Sequence, residues 1–141
     1  MRLRISPNRL VGEIQMEFNT VFPFLKIEFF RKKIYQQPEF TPQQMVPRNQ
    51  KIGSTQTAIS DGDIEINADM KVKDLEKLFK EQFSLMAQIF RRSGNLWLQT
   101  TMTDDWTLAR QNEHGREIST DRSDNVTPEK NEYDLNRDAD T

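Results

Sequence analysis

The sequence predicts an α+β fold: a two-layer sandwich in which an approximately four-stranded, mainly antiparallel sheet carries its helices on one face. Three observations predict it. Two stretches place apolar residues at three- and four-residue spacing, as amphipathic helices do. Short runs of strict alternation follow them, with the period of a half-buried strand. The apolar pattern of the first half then returns in the second, which points to an internal αββ repeat in the order αββαββα.

The first helix rests on Val11, Ile14, Phe18 and Val21/Phe22, which fall on one stripe. Ser6-Pro7 supplies a hydroxyl cap with proline at the first helical position, and Pro23 ends the helix because it has no amide to donate. A strand follows from Phe24, with Leu25, Ile27 and Phe29 to one face and Lys26 and Glu28 to the other. Residues 36–60 hold six Gln and three Pro, so they read as a loop insertion, with a short edge strand near Met45-Val46 or Thr57–Ile59. Ile64 and Ile66 alternate with Asp63, Glu65 and Asn67 as the next strand.

The second helix carries Val72, Leu75, Leu78, Phe79 and Phe83 on its stripe, with Asp74, Lys77 and Glu81 outside. Residues 85–92 and 95–101 form a hairpin joined through Ser93-Gly94. Thr103-Asp104-Asp105-Trp106 opens a short third helix that stops before Gly115, on the rule that a hydroxyl cap precedes acids at the positive helix end. In the repeat, Val11, Ile14, Phe18, Phe22 and Phe29 match Val72, Leu75, Phe79, Phe83 and Phe90, and the stretch Gly62–Asn67 matches Gly94–Gln99.

Core-forming residues divide the chain. Residues 1–112 contain 31 of its Leu, Ile, Val and Phe, whereas residues 113–141 contain only Ile118, Val126 and Leu135. The expected organisation is one α+β domain over 1–112 and an acidic, disordered tail over 113–141. Charge follows the same division: residues 1–60 carry +5 and residues 113–141 carry −5. Truncation after Gly115 should then leave the thermal midpoint unchanged.

Chemistry is narrowed mostly by what is missing. With no cysteine there is no disulfide, thiol nucleophile or Cys-based metal site, and His114 has no second histidine and no carboxylate at a ligand spacing in the sequence. Phosphate-cradling glycine loops and hydrolase or metalloprotease signatures are absent from the sequence. The carboxylate pairs Asp61/Asp63 and Asp104/Asp105 sit where a turn and a helix start explain them. The expectation is a cytoplasmic protein that is not an enzyme, with no cofactor, no metal and no membrane segment, since no apolar run nears 20 residues.

Function is expected from a non-catalytic protein–protein interaction module, a homo-oligomeric adaptor or chaperone-like protein with an unidentified protein partner. The proposed surface centres on Trp97, placed on the sheet face opposite the helices. A two-residue Ser93-Gly94 loop sets Phe90 across from it, and a three-residue Arg92-Ser93-Gly94 loop sets Ile89 there; the repeat favours the latter. The alternative is a nucleic-acid patch in the basic half, formed by Arg31, Lys32 and Lys33 with Tyr35. The stretch from Gly94 to Leu108 resembles one found in small bacterial proteins without known activity. The element order is similar to that of bacterial secretion chaperones, which implies a small dimeric α+β protein.

Overall fold

At the amino end, Arg2 and Arg4 alternate with Leu3 and Ile5, and this four-residue pattern is already a strand. The computed structural model describes residues 1–31, 44–55 and 59–120. Its elements are β1 (Arg2–Ile5), α1 (Val11–Val21), β2 (Leu25–Phe30), β3 (Gly62–Glu65), α2 (Val72–Phe83), β4 (Met86–Ser93), β5 (Leu96–Gln99) and α3 (Leu108–Thr120), with 3₁₀ turns at Ile52–Thr55 and Thr101–Thr103. The fold is α+β, with all strand pairing antiparallel.

The strands form two sheets, β1–β3 and β2–β4–β5, not one of about four strands. The difference comes from β1. Its Leu3 lies opposite Ile64 and its Arg4 opposite Asp63, so the strand predicted at residues 63–67 pairs with the amino terminus instead of joining the main sheet. Arg2 reaches Glu65 at 3.5 Å, and Arg4 reaches Asp61 and Asp63 at 3.6 and 3.8 Å. These are exposed pairs worth little energy, but they agree with the register that buries Leu3, Ile5 and Ile64. The strand and helix grouping is accordingly β1-α1-β2 and β3-α2-β4, with β3 ahead of α2.

Because residues 2–5 are extended, α1 starts at Val11 and not at Ser6-Pro7. No side-chain hydroxyl caps it; backbone carbonyls do. Val11 and Gly12 donate to the carbonyls of Gln50 and Arg48 at 2.9 Å each, and Leu10 N–H donates to Glu13 Oε1 at 3.0 Å. The start of α2 repeats the device: Val72 donates to Trp106 O (3.0 Å) and Lys73 to Asp104 O (2.8 Å). Thr103–Trp106 is therefore the cap of α2 rather than the opening of α3. The hydroxyl at the start of α3 is Thr107 Oγ1, which accepts from Arg110 N–H at 3.1 Å.

Residues 44–55 of the predicted loop insertion are tied to the domain. Met45 bridges Phe30, Val46 N–H donates to Phe29 O at 2.8 Å, and Val46 and Ile52 are fully buried. The alternative edge strand at Thr57–Ile59 lies mostly outside the described residues.

One apolar cluster joins both sheets to the helices: Leu3, Ile5 and Ile64; Val11, Ile14 and Phe18; Leu75 and Phe79; Leu25, Ile27 and Phe29; Ala87 and Ile89. Here the matched positions Phe29 and Phe90 part company. Phe29 faces Ala87 in this cluster, while Phe90 lies opposite Lys26 and belongs to a second cluster. A one-residue change of register turns a side chain to the other face.

α3 runs through Gly115 to Thr120 instead of ending before the glycine. A Cβ at Gly115 would stand 3.0 Å from both Phe24 Cβ and Arg91 Cγ, so the glycine is where the helix meets the sheet most closely. Polar contacts fix the same docking: Asn112 Oδ1 accepts from Phe24 N–H at 2.8 Å, and Ser119 Oγ accepts from Gly94 N–H at 3.1 Å. Truncation after Gly115 would cut this docked helix.

Phe18 and Phe79 are both fully buried, one on each long helix. Phe18→Ala and Phe79→Ala should each lower the unfolding free energy by about 3–5 kcal/mol in urea titrations. Gly115→Val should lower it by about 1–3 kcal/mol through the clash with Phe24. A Gly115→Val protein as stable as the parent would show that α3 does not dock as described.

Candidate functional site

The residues expected to form an interaction surface are divided by the hairpin. Its turn is Gly94-Asn95, with Ser93 opposite Leu96, so Arg92 lies across from Trp97 and neither expected register forms. Gly94 takes a φ of +62°, which suits the first position of a primed two-residue turn. Ile89 therefore faces the main core. Trp97 joins Phe90, Phe30 and Met45 in the second cluster, with Met86 at its margin, and is 7% exposed. Of the basic patch, Arg31 is spent internally: its guanidinium donates to Met45 O at 3.5 Å and Gln50 Oε1 at 3.1 Å. Lys32, Lys33 and Tyr35 lie outside the described residues.

Beside Trp97 the structure gathers a group that no motif announces. Lys26 and Glu28 sit two residues apart on β2 and point away from the main core. They form a buried ion pair, Nζ to Oε2 at 3.3 Å, with side chains 9% and 1% exposed. The Lys26 ammonium also lies 5.1 Å from the Trp97 ring centroid and 5.5 Å from that of Phe90. Cation–π attraction thus adds to that of the carboxylate in placing the ammonium. Arg92 approaches the same indole at 5.4 Å.

α1 completes the group from the open edge of β2. Gln15 Nε2 donates to Ile27 O at 2.7 Å and to Glu28 Oε1 at 2.9 Å. One turn on, Asn19 Nδ2 donates to Leu25 O at 2.9 Å and Pro23 O at 3.2 Å. Two amides at i and i+4 thereby occupy carbonyls that a neighbouring strand would otherwise take. Gln15 is 7% exposed, and its Oε1 has no hydrogen-bond partner among the described residues. These side chains line a cleft of about 160 Å³ whose remaining walls are Met16, Arg48 and Trp97.

No protein-family model, no curated protein and no solved structure matches this chain. The cleft's own features are a fixed ion pair, an unfilled acceptor and an aromatic wall. Among the described residues no group of three or more His, Asp or Glu is arranged to hold a metal ion. His114 packs edge-on against Trp106 at 5.4 Å. Asp104 is placed by its backbone contact to α2 and Asp61 and Asp63 by Arg4, so neither carboxylate pair joins the cleft. Sequence reasoning missed Gln15, Lys26 and Glu28. The signal was a lone amide beside the Ile14 stripe and two opposite charges on alternate positions of an otherwise apolar strand.

α2 holds an acid four residues after its start, as α1 holds Gln15. Glu76 Oε2 accepts from Ile89 N–H at 2.9 Å. Burial pushes its carboxyl up to about 8, with a further rise from the Asp104 charge, against the lowering effect of the Ile89 hydrogen bond. Folded Glu76 then holds its proton where the unfolded chain, at about 4.5, has lost it. Stability from this group is present below about 4.5 and is lost as pH rises to about 8, at no more than about 1.4 kcal/mol per pH unit. Glu76→Gln keeps an acceptor for Ile89 and cannot ionise. Its thermal midpoint relative to the parent should rise between pH 5 and pH 8; a difference that stays constant would rule the buried acid out.

Proposed function

We propose that the chain is a non-catalytic protein–protein interaction module, homo-oligomeric and cytoplasmic, whose contact surface is the face of the main sheet bearing Trp97. The observation that carries this reading is the cleft, where Met16, 64% exposed, stands at the rim of a buried Lys26–Glu28 pair and an indole. Exposed apolar side chains beside an aromatic residue are the usual composition of a contact surface. Among the described residues no helix is long and apolar enough to cross a membrane, which agrees with partners met outside the bilayer. The nucleic-acid reading draws less support, because Arg31 is already held by Met45 and Gln50.

We also read the chain as a duplicated β-α-β unit followed by a capping segment. In support, the four backbone hydrogen bonds from Val11, Gly12, Ile52 and Gly53 have counterparts from Val72, Lys73, Leu108 and Ala109. These go to matching acceptors: Gln50, Arg48, Arg9 and Pro7 in the first unit, Trp106, Asp104, Met70 and Ala68 in the second.

Light scattering on the full chain after size exclusion should give a dimer or larger species at micromolar concentration, and a strict monomer would remove the oligomer from the proposal. Met16→Glu alters an exposed position and should leave the thermal midpoint within about 0.5 kcal/mol of the parent. It should abolish recovery of any partner that the parent chain captures from its native cells. Unchanged recovery would move the contact surface elsewhere.

A further inference from the structure

We propose that the cleft between α1 and β2 receives one side-chain carboxamide, a glutamine or asparagine, from a protein partner. This rests on the interaction reading above and gives that contact its chemistry. The argument starts from Gln15. Its orientation is fixed, because Nε2 has two acceptors in Ile27 O and Glu28 Oε1, and a flipped amide would set oxygen against both. The atom of Gln15 left without a partner among the described residues is therefore an acceptor, and it requires an N–H or O–H.

Charge then narrows the donor. Lys26 and Glu28 offset each other at 3.3 Å, so the cleft presents both signs at short range. An entering cation would be desolvated beside Lys26 and Arg48, and an entering carboxylate, although two cations and one anion line the cleft, has no hydrogen to give Gln15 Oε1. A neutral group with a donor and an acceptor side by side meets Gln15 Oε1 with its N–H and the cationic wall with its carbonyl. That group is a primary amide. The size agrees: a cleft of about 160 Å³ has room for a side chain. Trp97 and Met16 supply apolar walls for its methylenes, and Met16 at the rim is placed to meet the flanking partner surface.

The test uses the ¹⁵N-labelled full chain, following the Gln15 side-chain amide and the Trp97 indole N–H. N-acetyl-glutamine-N′-methylamide should shift both in a saturable way at millimolar concentration. The glutamate and lysine counterparts should bind at least tenfold more weakly, as should free glutamine, which carries both terminal charges. Gln15→Met should remove the response; if that variant does not fold, the comparison of ligands on the parent protein still decides. Equal shifts from all compounds, or no saturable shift from the capped glutamine, would overturn the proposal, and the cleft would then hold water alone. Tighter binding of free glutamine would assign the cleft to a small molecule and overturn the protein partner as the source. Loss of partner capture by Met16→Glu together with a failed glutamine titration would leave the interaction module standing and remove only the carboxamide.

Discussion

The pairing of β2 with β4 is the constraint on which the other elements depend. At its midpoint Ile27 lies opposite Ile89, and the polar backbone groups seen at these two residues turn outward, away from each other. The neighbours on either side are too short to serve them: residues 44–46 reach only Phe29–Arg31, and β5 covers only Phe90–Ser93. A buried backbone group left unbonded would carry the full penalty of desolvation. Side chains from the helices, and Thr100 just past β5, supply the bonds instead. Gln15 donates to Ile27 O, Glu76 accepts from Ile89 N–H, and Thr100 donates to Ile89 O through N–H (3.3 Å) and Oγ1 (2.8 Å). The helices thus do more than cover the sheet; each completes its hydrogen bonding at the centre.

The same logic explains the docking of α3. Arg91 is almost fully buried on the helix-facing side of the sheet, and its guanidinium donates to Gln111 Oε1 at 3.1 Å. Gln111 Nε2 in turn donates to Thr103 O and Oγ1 at 2.7 and 2.8 Å. A buried cation in the inner layer requires hydrogen-bond partners. Those partners come from the helix that Gly115 allows to approach and from the turn that caps α2.

Much of the fold was legible because it rests on period. The stripes Val11-Ile14-Phe18 and Val72-Leu75-Phe79 and the alternations at 25–29 and 63–66 all formed elements of the expected type. What failed was longer-range. β1 is four residues long and was hidden behind a Ser-Pro start signal, although its Arg-Leu-Arg-Ile is the charge complement of Asp-Ile-Glu-Ile at its partner. A Ser93-Gly94 turn and a Gly94-Asn95 turn look alike locally, yet moving the turn by one residue moves the partner of Trp97 by two, from Phe90 to Arg92. The helix stop at Gly115 followed a propensity that close packing overrode. The cleft was not legible at all, because Gln15, Lys26 and Glu28 carry no motif and become a group only when α1 folds against the edge of β2.

Gln15 and Glu76 each stand four residues after the first residue of a long helix, yet their chemistry divides the two sides. An amide serves a carbonyl without ever changing charge, so the α1 side is polar and fixed across the physiological range. A carboxyl serving an amide in a desolvated site is held protonated and reports pH through stability. The ion pair lies on the α1 side, beside Gln15. Apolar residues of similar size in place of a buried pair commonly leave stability equal or higher, so the energy of the fold gives little reason for Lys26 and Glu28 to be there. Across the central pairing their direct neighbours are Phe90 and Gln88, which carry no charge, so the pair is not demanded by the sheet either. What the pair does supply is a neutral but strongly dipolar floor, held in one geometry by Gln15 and two aromatic rings. Such a floor favours a group that is itself a dipole.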